Sequence, residues 1–540
     1  MKTQHRGIVM SKNGMVCSAH FLSSWVGADV LSRGGNAMDA AIAMALVTGV
    51  VLPDMCGLGA DAFLLYYDGK TERITSMNGS GAAPASMTRE YFVSRGFDRI
   101  PNKGMLSVTV PGAVGLYFKA LSSYGTMEFG DLSPYAIKYA EEGIPVSQRV
   151  QRHMRIELEK LRAYPSTSKI YLKNGNPYEI GDILINKDYA DSLRIITEQG
   201  PDAFYEGELC QKMVDYSKAH GGLFETTDFS NYDVTVCEPI ETTYRGYKVY
   251  ETAPVSQGII VLEELNILEG YDIRSMGADS ADSIHLMVEA KKAAFSDRVK
   301  YFGDPDFVKN PIGGILSKEY ASRVREKIDL KKAHFEGPEV NPFDYDGDTT
   351  SFVVVDRWGN AVSFIHSISA TWGCGEVVDG TGILLNNRAA TGFNLIEGCP
   401  NCLAPGKKTM HTLNTWMITK DGKLKWVGNT PGGDNQPQCN MQLIVNLIDF
   451  DMNVQEAVEA PKWIDLQSTN PVSDWDGKTQ LRIESRVSKE ILNELKERGH
   501  DVSLLGPYGG SGALQVIEVN ENGVMFGGSD PRADGAAIGI

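Results

Sequence analysis

Thr349 and Thr350 stand where an acidic stretch carrying Asp344, Asp346 and Asp348 gives way to Ser351-Phe352-Val353-Val354-Val355. This is a place where the chain could make a nucleophile. A threonine hydroxyl attacks poorly unless a base is held beside it, and the segment offers no obvious His or Lys for that purpose. Were the chain opened before Thr349, the freed α-amine would supply the base within the same residue. The cut needs no protease, because the Thr349 hydroxyl can attack the carbonyl of Asp348 and water can open the resulting ester. One oxygen would then mature the chain and afterwards cleave other amides. The same two threonines also suit the plain start of a strand, and on these residues alone both readings stand.

The elements around the threonines decide how firmly they could be held. Residues 352–355 and 361–364 are β-branched and aromatic runs separated by a polar turn ending in Gly359-Asn360, which predicts a hairpin. Thr349 then sits where a loop enters a strand. The stretch 335–348 is rich in Pro, Gly and acid and lacks periodicity, so it reads as a loop that ends at the proposed cut.

Several ordered blocks narrow the reading. Thr349-Thr350-Ser351-Phe352-Val353-Val354-Val355-Asp356, Gly359-Asn360-Ala361-Val362, Gly382-Ile383-Leu384-Leu385-Asn386-Asn387 and Pro431-Gly432-Gly433 resemble the gamma-glutamyltransferase family of N-terminal-nucleophile hydrolases. Upstream, Gly34-Gly35-Asn36-Ala37-Met38-Asp39-Ala40-Ala41 and Ser107-Val108-Thr109-Val110-Pro111-Gly112 resemble it too, so the similarity spans nearly the whole chain. The resemblance implies an α+β fold, a four-layer α/β/β/α sandwich of the N-terminal-nucleophile hydrolase type. It is built jointly by a large segment, 1–348, and a small one, 349–540, forming one structural domain. It also implies cleavage between Asp348 and Thr349, with Thr349 as nucleophile and Ser367 touching it from the next strand. Gly432 and Gly433 are the expected oxyanion donors, glycine being suited to aim two peptide N–H groups at one point.

Substrate recognition departs from the family pattern. Members acting on gamma-glutamyl compounds hold the α-carboxylate with an arginine before an Ala-Pro pair and the α-amine with an acid after the Asn-Asn block. Ser80 and Thr391 occupy those positions here, and His411-Thr412 replaces a pair of serines. Arg388, directly after Asn386-Asn387, is the one new cation, and it reads either as a surface arginine or, with His411, as the receptor for a carboxylate or carbonyl on a smaller acyl group. Expected substrate-binding residues are therefore Arg388, His411, Thr412, Ser369 and Ser80. The pattern is more similar to the branch holding oxamate amidohydrolases and cephalosporin-acylase-like proteins, so the expectation is an amidohydrolase acting on a small carboxylate-bearing amide. Two alternatives stay open: a gamma-glutamyl hydrolase or transpeptidase with a different clamp, and an unprocessed, non-catalytic binding protein.

Composition bounds the rest. A formal charge of −17 with no offsetting basic cluster disfavours nucleic acid and anionic membranes as partners. The expected partners are a small-molecule amide and the chain's own second fragment, with a higher homo-oligomer left open. The N-terminal residues lack the apolar core of a secretory signal, giving an expectation of cytoplasmic residence. The apolar stretch 37–52 falls short of the ~20 residues of a membrane helix and reads as a buried, alanine-rich helix. Eight scattered cysteines fit reduced thiols. Cys399-Pro400-Asn401-Cys402 has no second close pair to complete a zinc site, and since attack, proton transfer and charge stabilisation all fall to protein groups, neither metal nor organic cofactor is expected.

Along the chain, helices are expected over 22–32, 37–45, 114–121, 135–142, 150–161, 190–198, 258–268, 282–295, 440–448, 454–460 and 490–499. A hairpin is expected over 62–75 and a single strand over 243–251. Strands should dominate from 350 to about 385, followed by others at 415–418 and 425–427. Gly57-Leu58-Gly59-Ala60-Asp61-Ala62 imitates a dinucleotide glycine pattern but has the helix before it and the strand after it, the reverse of what that site needs. His285, among apolar neighbours, fits a satisfied core histidine.

Overall fold

The computed structural model describes residues 4–333, 349–466 and 479–540. Two seven-stranded antiparallel sheets lie face to face between helical layers. One runs in the order Ala536–Gly539, Gly14–Ser18, Thr350–Asp356, Ala361–Ser367, Asp61–Asp68, Arg73–Gly79, Thr235–Cys237. The other runs Val9–Ser11, Met525–Ser529, Gln515–Val519, Lys423–Asn429, Trp416–Lys420, Tyr247–Glu251, Ile240–Tyr244. This is the four-layer sandwich expected.

All seven residues of Thr350–Asp356 are buried, which explains their unbroken apolar run: a strand covered on both faces need not alternate with polar residues. Val353 and Val355 point between the sheets with Met417, Val427 and Ile517, whereas Phe352 and Val354 point to the helix layer that holds Ala37–Val51. That fifteen-residue helix is buried throughout and opens on a capping box of Asn36 and Asp39. Asp356 links it to the hairpin, accepting from the Ala37 N–H (2.9 Å) and from the Trp358 and Asn360 backbones. The second helical layer, led by Gly258–Leu268, Ala281–Tyr301 and Asn435–Ile448, packs on Val249, Trp416, Ile418 and Val516 of the other sheet.

Each sheet takes strands from both sides of residue 349, so strands before and after it interleave in both.

Three expectations need correction. The segment 243–251 is a hairpin, not one strand: Arg245 (φ 51°) and Gly246 (φ 82°) form a tight turn, and the left-handed conformation of Arg245 is one its residue type rarely signals in sequence. Helix 150–161 breaks at Glu157 into Gln148–Ile156 and Leu158–Ala163. Beyond Ser367 the chain to Leu385 carries isolated bridges and turns rather than strands, because its N–H groups bond to loops such as that at Asp54 and Met55. The stretch 335–348, read as a loop, lies outside the described residues.

Candidate active site

The register of the hairpin places the threonine. Thr350 pairs with His366, so Thr349 falls opposite Ser367 at the open end of the two strands. Thr349 Oγ1 donates to Ser367 Oγ at 3.3 Å, and Ser367 Oγ accepts the Ser369 N–H at 2.8 Å. Ser369 holds φ at 84°, turning the chain back toward its own strand end. Its hydroxyl meets that of Thr391 at 2.7 Å, so both are occupied with each other. Thr349 is 1% exposed in the uncut chain.

Gly432 and Gly433 lie between strand Lys423–Asn429 and helix Asn435–Ile448, with φ of 129° and 55°. Two successive positive φ values are what glycine permits at little strain. Their carbonyls are used by the Asn435 and Gln436 N–H groups, while their own N–H groups find no acceptor among the described residues. Gln257 fixes this turn, its Nε2 donating to the carbonyls of Gly433 (3.0 Å) and Thr412. Arg298 in turn donates from Nη1 to Gln257 Oε1 and Asp434 Oδ1, each at 2.6 Å.

Arg388 opens the short helix Arg388–Gly392 and is 1% exposed, not a surface side chain. Its Nη1 donates to Thr412 Oγ1 at 3.1 Å, and its Nε lies 3.6 Å from Asp61 Oδ2. Nε and Nη2 make no hydrogen bond among the described residues. Burial pushes the guanidinium down to about 10 against the charges of Asp61 and Asp434, leaving it a cation at neutral pH. Asp61 accepts from the Gly81 N–H and from His411 Nε2 at 3.0 Å. His411 Nδ1 accepts the Leu413 N–H, so both ring nitrogens are used within the protein. Burial, then Arg388, drives this imidazole down to about 4, and it is neutral at pH 7 with the Nε2 proton toward Asp61.

The residues singled out from sequence thus divide by position. Thr349, Ser367 and Ser369 share one strand end. Arg388, Thr412 and His411 form a second group around Asp61, and Gln257 joins Thr412 to the Gly433 turn. The Ser80 hydroxyl donates to Asn78 Oδ1 at 2.7 Å and shapes its own loop. Asp348 lies outside the described residues. Sequence reading overlooked Asp61, Gln257, Arg298 and Gln436. Asp61 had a signal: it is the one acid in the glycine run 57–62.

Such a sandwich is the architecture of N-terminal-nucleophile hydrolases, and the comparisons with known proteins agree. The profile of the family described as Gamma-glutamyltranspeptidase matches residues 23–540. A glutathione hydrolase-like YwrD proenzyme of Bacillus subtilis is 38% identical, covering 98% of this chain and 99% of that protein. An oxamate amidohydrolase proenzyme of Klebsiella pneumoniae is 32% identical, covering 98% and 99%. The crystal structure of cephalosporin acylase from Bacillus halodurans superposes with a TM-score of 0.91 at 34% identity, over 100% of this chain and 98% of that one. The molecule is therefore an enzyme of the N-terminal-nucleophile type, an amide hydrolase or acyltransferase. The chain belongs to the gamma-glutamyltranspeptidase family.

Proposed function

We propose that the chain severs itself between Asp348 and Thr349 and then hydrolyses a small amide that bears a carboxylate, oxamate being the simplest example. The observation that carries this reading is Arg388: a buried cation whose Nη2 has no acceptor among the described residues and whose Nε has only the long 3.6 Å approach to Asp61. An unsatisfied buried donor is unfavourable by about 1–3 kcal/mol, and a carboxylate is the acceptor that best matches the planar fork. The gamma-glutamyl alternative lacks such support, since Ser80 and Thr391 are uncharged and their hydroxyls are already engaged.

In this mechanism Thr349 Oγ1 forms a bond to the amide carbonyl carbon while its proton passes to the α-amine of the same residue. The carbonyl oxygen becomes negative and accepts from the Gly432 and Gly433 N–H groups. Collapse breaks the C–N bond, and the leaving nitrogen takes the proton from the α-amine. Water then attacks the threonyl ester by the same route and frees the acid. The interleaving of 1–348 with 349–540 supports a mature form in which the two fragments stay together. Attack, proton transfer and charge stabilisation are all assigned to protein groups.

The name of the Bacillus subtilis relative favours one competing reading, hydrolysis of glutathione-like compounds. Processed protein offered oxamate and a gamma-glutamyl anilide separates the two. Faster ammonia release from oxamate, with Arg388→Ala raising its KM roughly 10- to 100-fold, supports the proposal. Faster glutamate release from the anilide overturns it.

A further inference from the structure

Helix Asn435–Ile448 follows the glycine turn directly, and its second residue, Gln436, is fully buried. The orientation of its side-chain amide is settled by its neighbours. Oε1 accepts the Asn414 N–H at 3.2 Å, which turns the NH2 group toward the nucleophile, and Nε2 lies 3.5 Å from Thr349 Oγ1. Asn414 is itself braced, donating from Nδ2 to Glu251 Oε1 at 3.0 Å. Burial holds the Glu251 carboxyl well above its ordinary value.

Two polar groups therefore meet the Thr349 oxygen. Ser367 receives its proton, and Gln436 faces its lone pair. At 3.5 Å the second contact is long for a resting hydroxyl, as catalytic contacts often are before reaction. Oγ1 gains negative character as its proton leaves, and an N–H donor already aimed at it shortens onto that charge. A neighbour supplies the comparison within the same helix. Gln438, two residues on, spends its amide on the Asp465 and Asp434 backbones and does not touch the threonine.

We propose that Gln436 is a catalytic residue, donating to Thr349 Oγ1 while that oxygen passes its proton to the Thr349 α-amine and bonds to the substrate carbonyl carbon. This rests on Thr349 being the nucleophile. Because the same oxygen attacks Asp348 in maturation, Gln436 also speeds the cut.

Gln436→Met and Gln436→Glu test this, with Gln438→Met and Thr349→Ala as comparisons. Gln436→Met should process slowly and lower kcat on oxamate roughly 10- to 100-fold at unchanged KM. Gln436→Glu keeps the shape but sets an acid beside the α-amine, so the acidic limb of its kcat–pH profile should move up by about one unit. Gln438→Met should leave that limb in place. Should Gln436→Met not fold, Gln436→Glu decides. Wild-type processing, kcat within threefold and an unmoved limb overturn the assignment to Gln436. Full activity of Thr349→Ala instead overturns the nucleophile reading on which it rests.

Discussion

Arg388 reads differently once its surroundings are known, and two predictions belong to it. Replacing it with Lys keeps the charge but removes the planar fork, so KM for a carboxylate substrate should rise about 10-fold with kcat little changed, by steady-state kinetics. Because burial brings its guanidinium down to about 10, the cation is lost as pH climbs through that value. KM for a carboxylate substrate should then rise above pH 10, while KM for a neutral amide stays level. At this scale the sequence was informative wherever a residue departed from an established pattern, as at Ser80, Arg388, Thr391 and His411. It was silent on Gln257 and Arg298, which lie 41 to 176 residues from their partners and belong to no local motif. Their roles come from packing, and the His411 ring shows the consequence. It lies where a substrate contact was expected, yet spends both nitrogens on Asp61 and Leu413.

Strands carry the site because both of their faces are fixed. Asn429, the last residue of Lys423–Asn429, reaches across the sandwich and donates from Nδ2 to the Phe352 and Phe364 carbonyls and to Ser363 Oγ, at 3.0 to 3.1 Å. It joins one sheet to the hairpin that presents Thr349 and Ser367. Asn429→Ala should lower stability by about 2–3 kcal/mol, seen as a lower denaturant midpoint at unchanged slope. The hairpin Thr350–Asp356/Ala361–Ser367 was legible because its residues are strongly β-forming and its turn carries Gly359 at φ 82°. Helix Gly258–Leu268 was legible to the residue. The late strands Gln515–Val519 and Met525–Ser529 were not, since both are short, the second carries two glycines, and they are held by pairing to each other, to Lys423–Asn429 and to Val9–Ser11. His285 matches its expected place as a satisfied core residue, with Nδ1 against His500 (2.8 Å) and Nε2 donating to the Asp329 carbonyl (2.8 Å).

Across the whole molecule, buried ionisable groups set a pH range for stability. Burial lowers His366 and His500 to about 3, His20 and His411 to about 4, and His285 below its usual value. The unfolded chain binds these protons first, so acidification from about 6.5 toward 4 favours unfolding. Burial raises Glu251, Glu263 and Glu264 well above the usual carboxyl range. The folded state then holds protons that the unfolded chain releases, and each such group lowers stability by up to roughly 1.4 kcal/mol per pH unit on the alkaline side. The two sets oppose each other, so stability falls both on strong acidification and on the alkaline side. Melting temperatures measured from pH 4 to 9 should pass through a maximum between the two falls, and Glu264→Gln should flatten the alkaline one. Among the described residues no helix is long and apolar enough to cross a membrane. The interleaved sheets explain how a bond could open at 348–349 without the core separating. The most direct measurement is the intact mass of purified protein after incubation, run beside Thr349→Ala and followed by quenching with oxamate. The account predicts two co-purifying fragments, the smaller starting at Thr349 and transiently heavier by one acyl group, and an uncut variant. A wild-type chain that stays at 59.1 kDa while hydrolysing amides, or a Thr349→Ala chain that still splits and turns over, would contradict it.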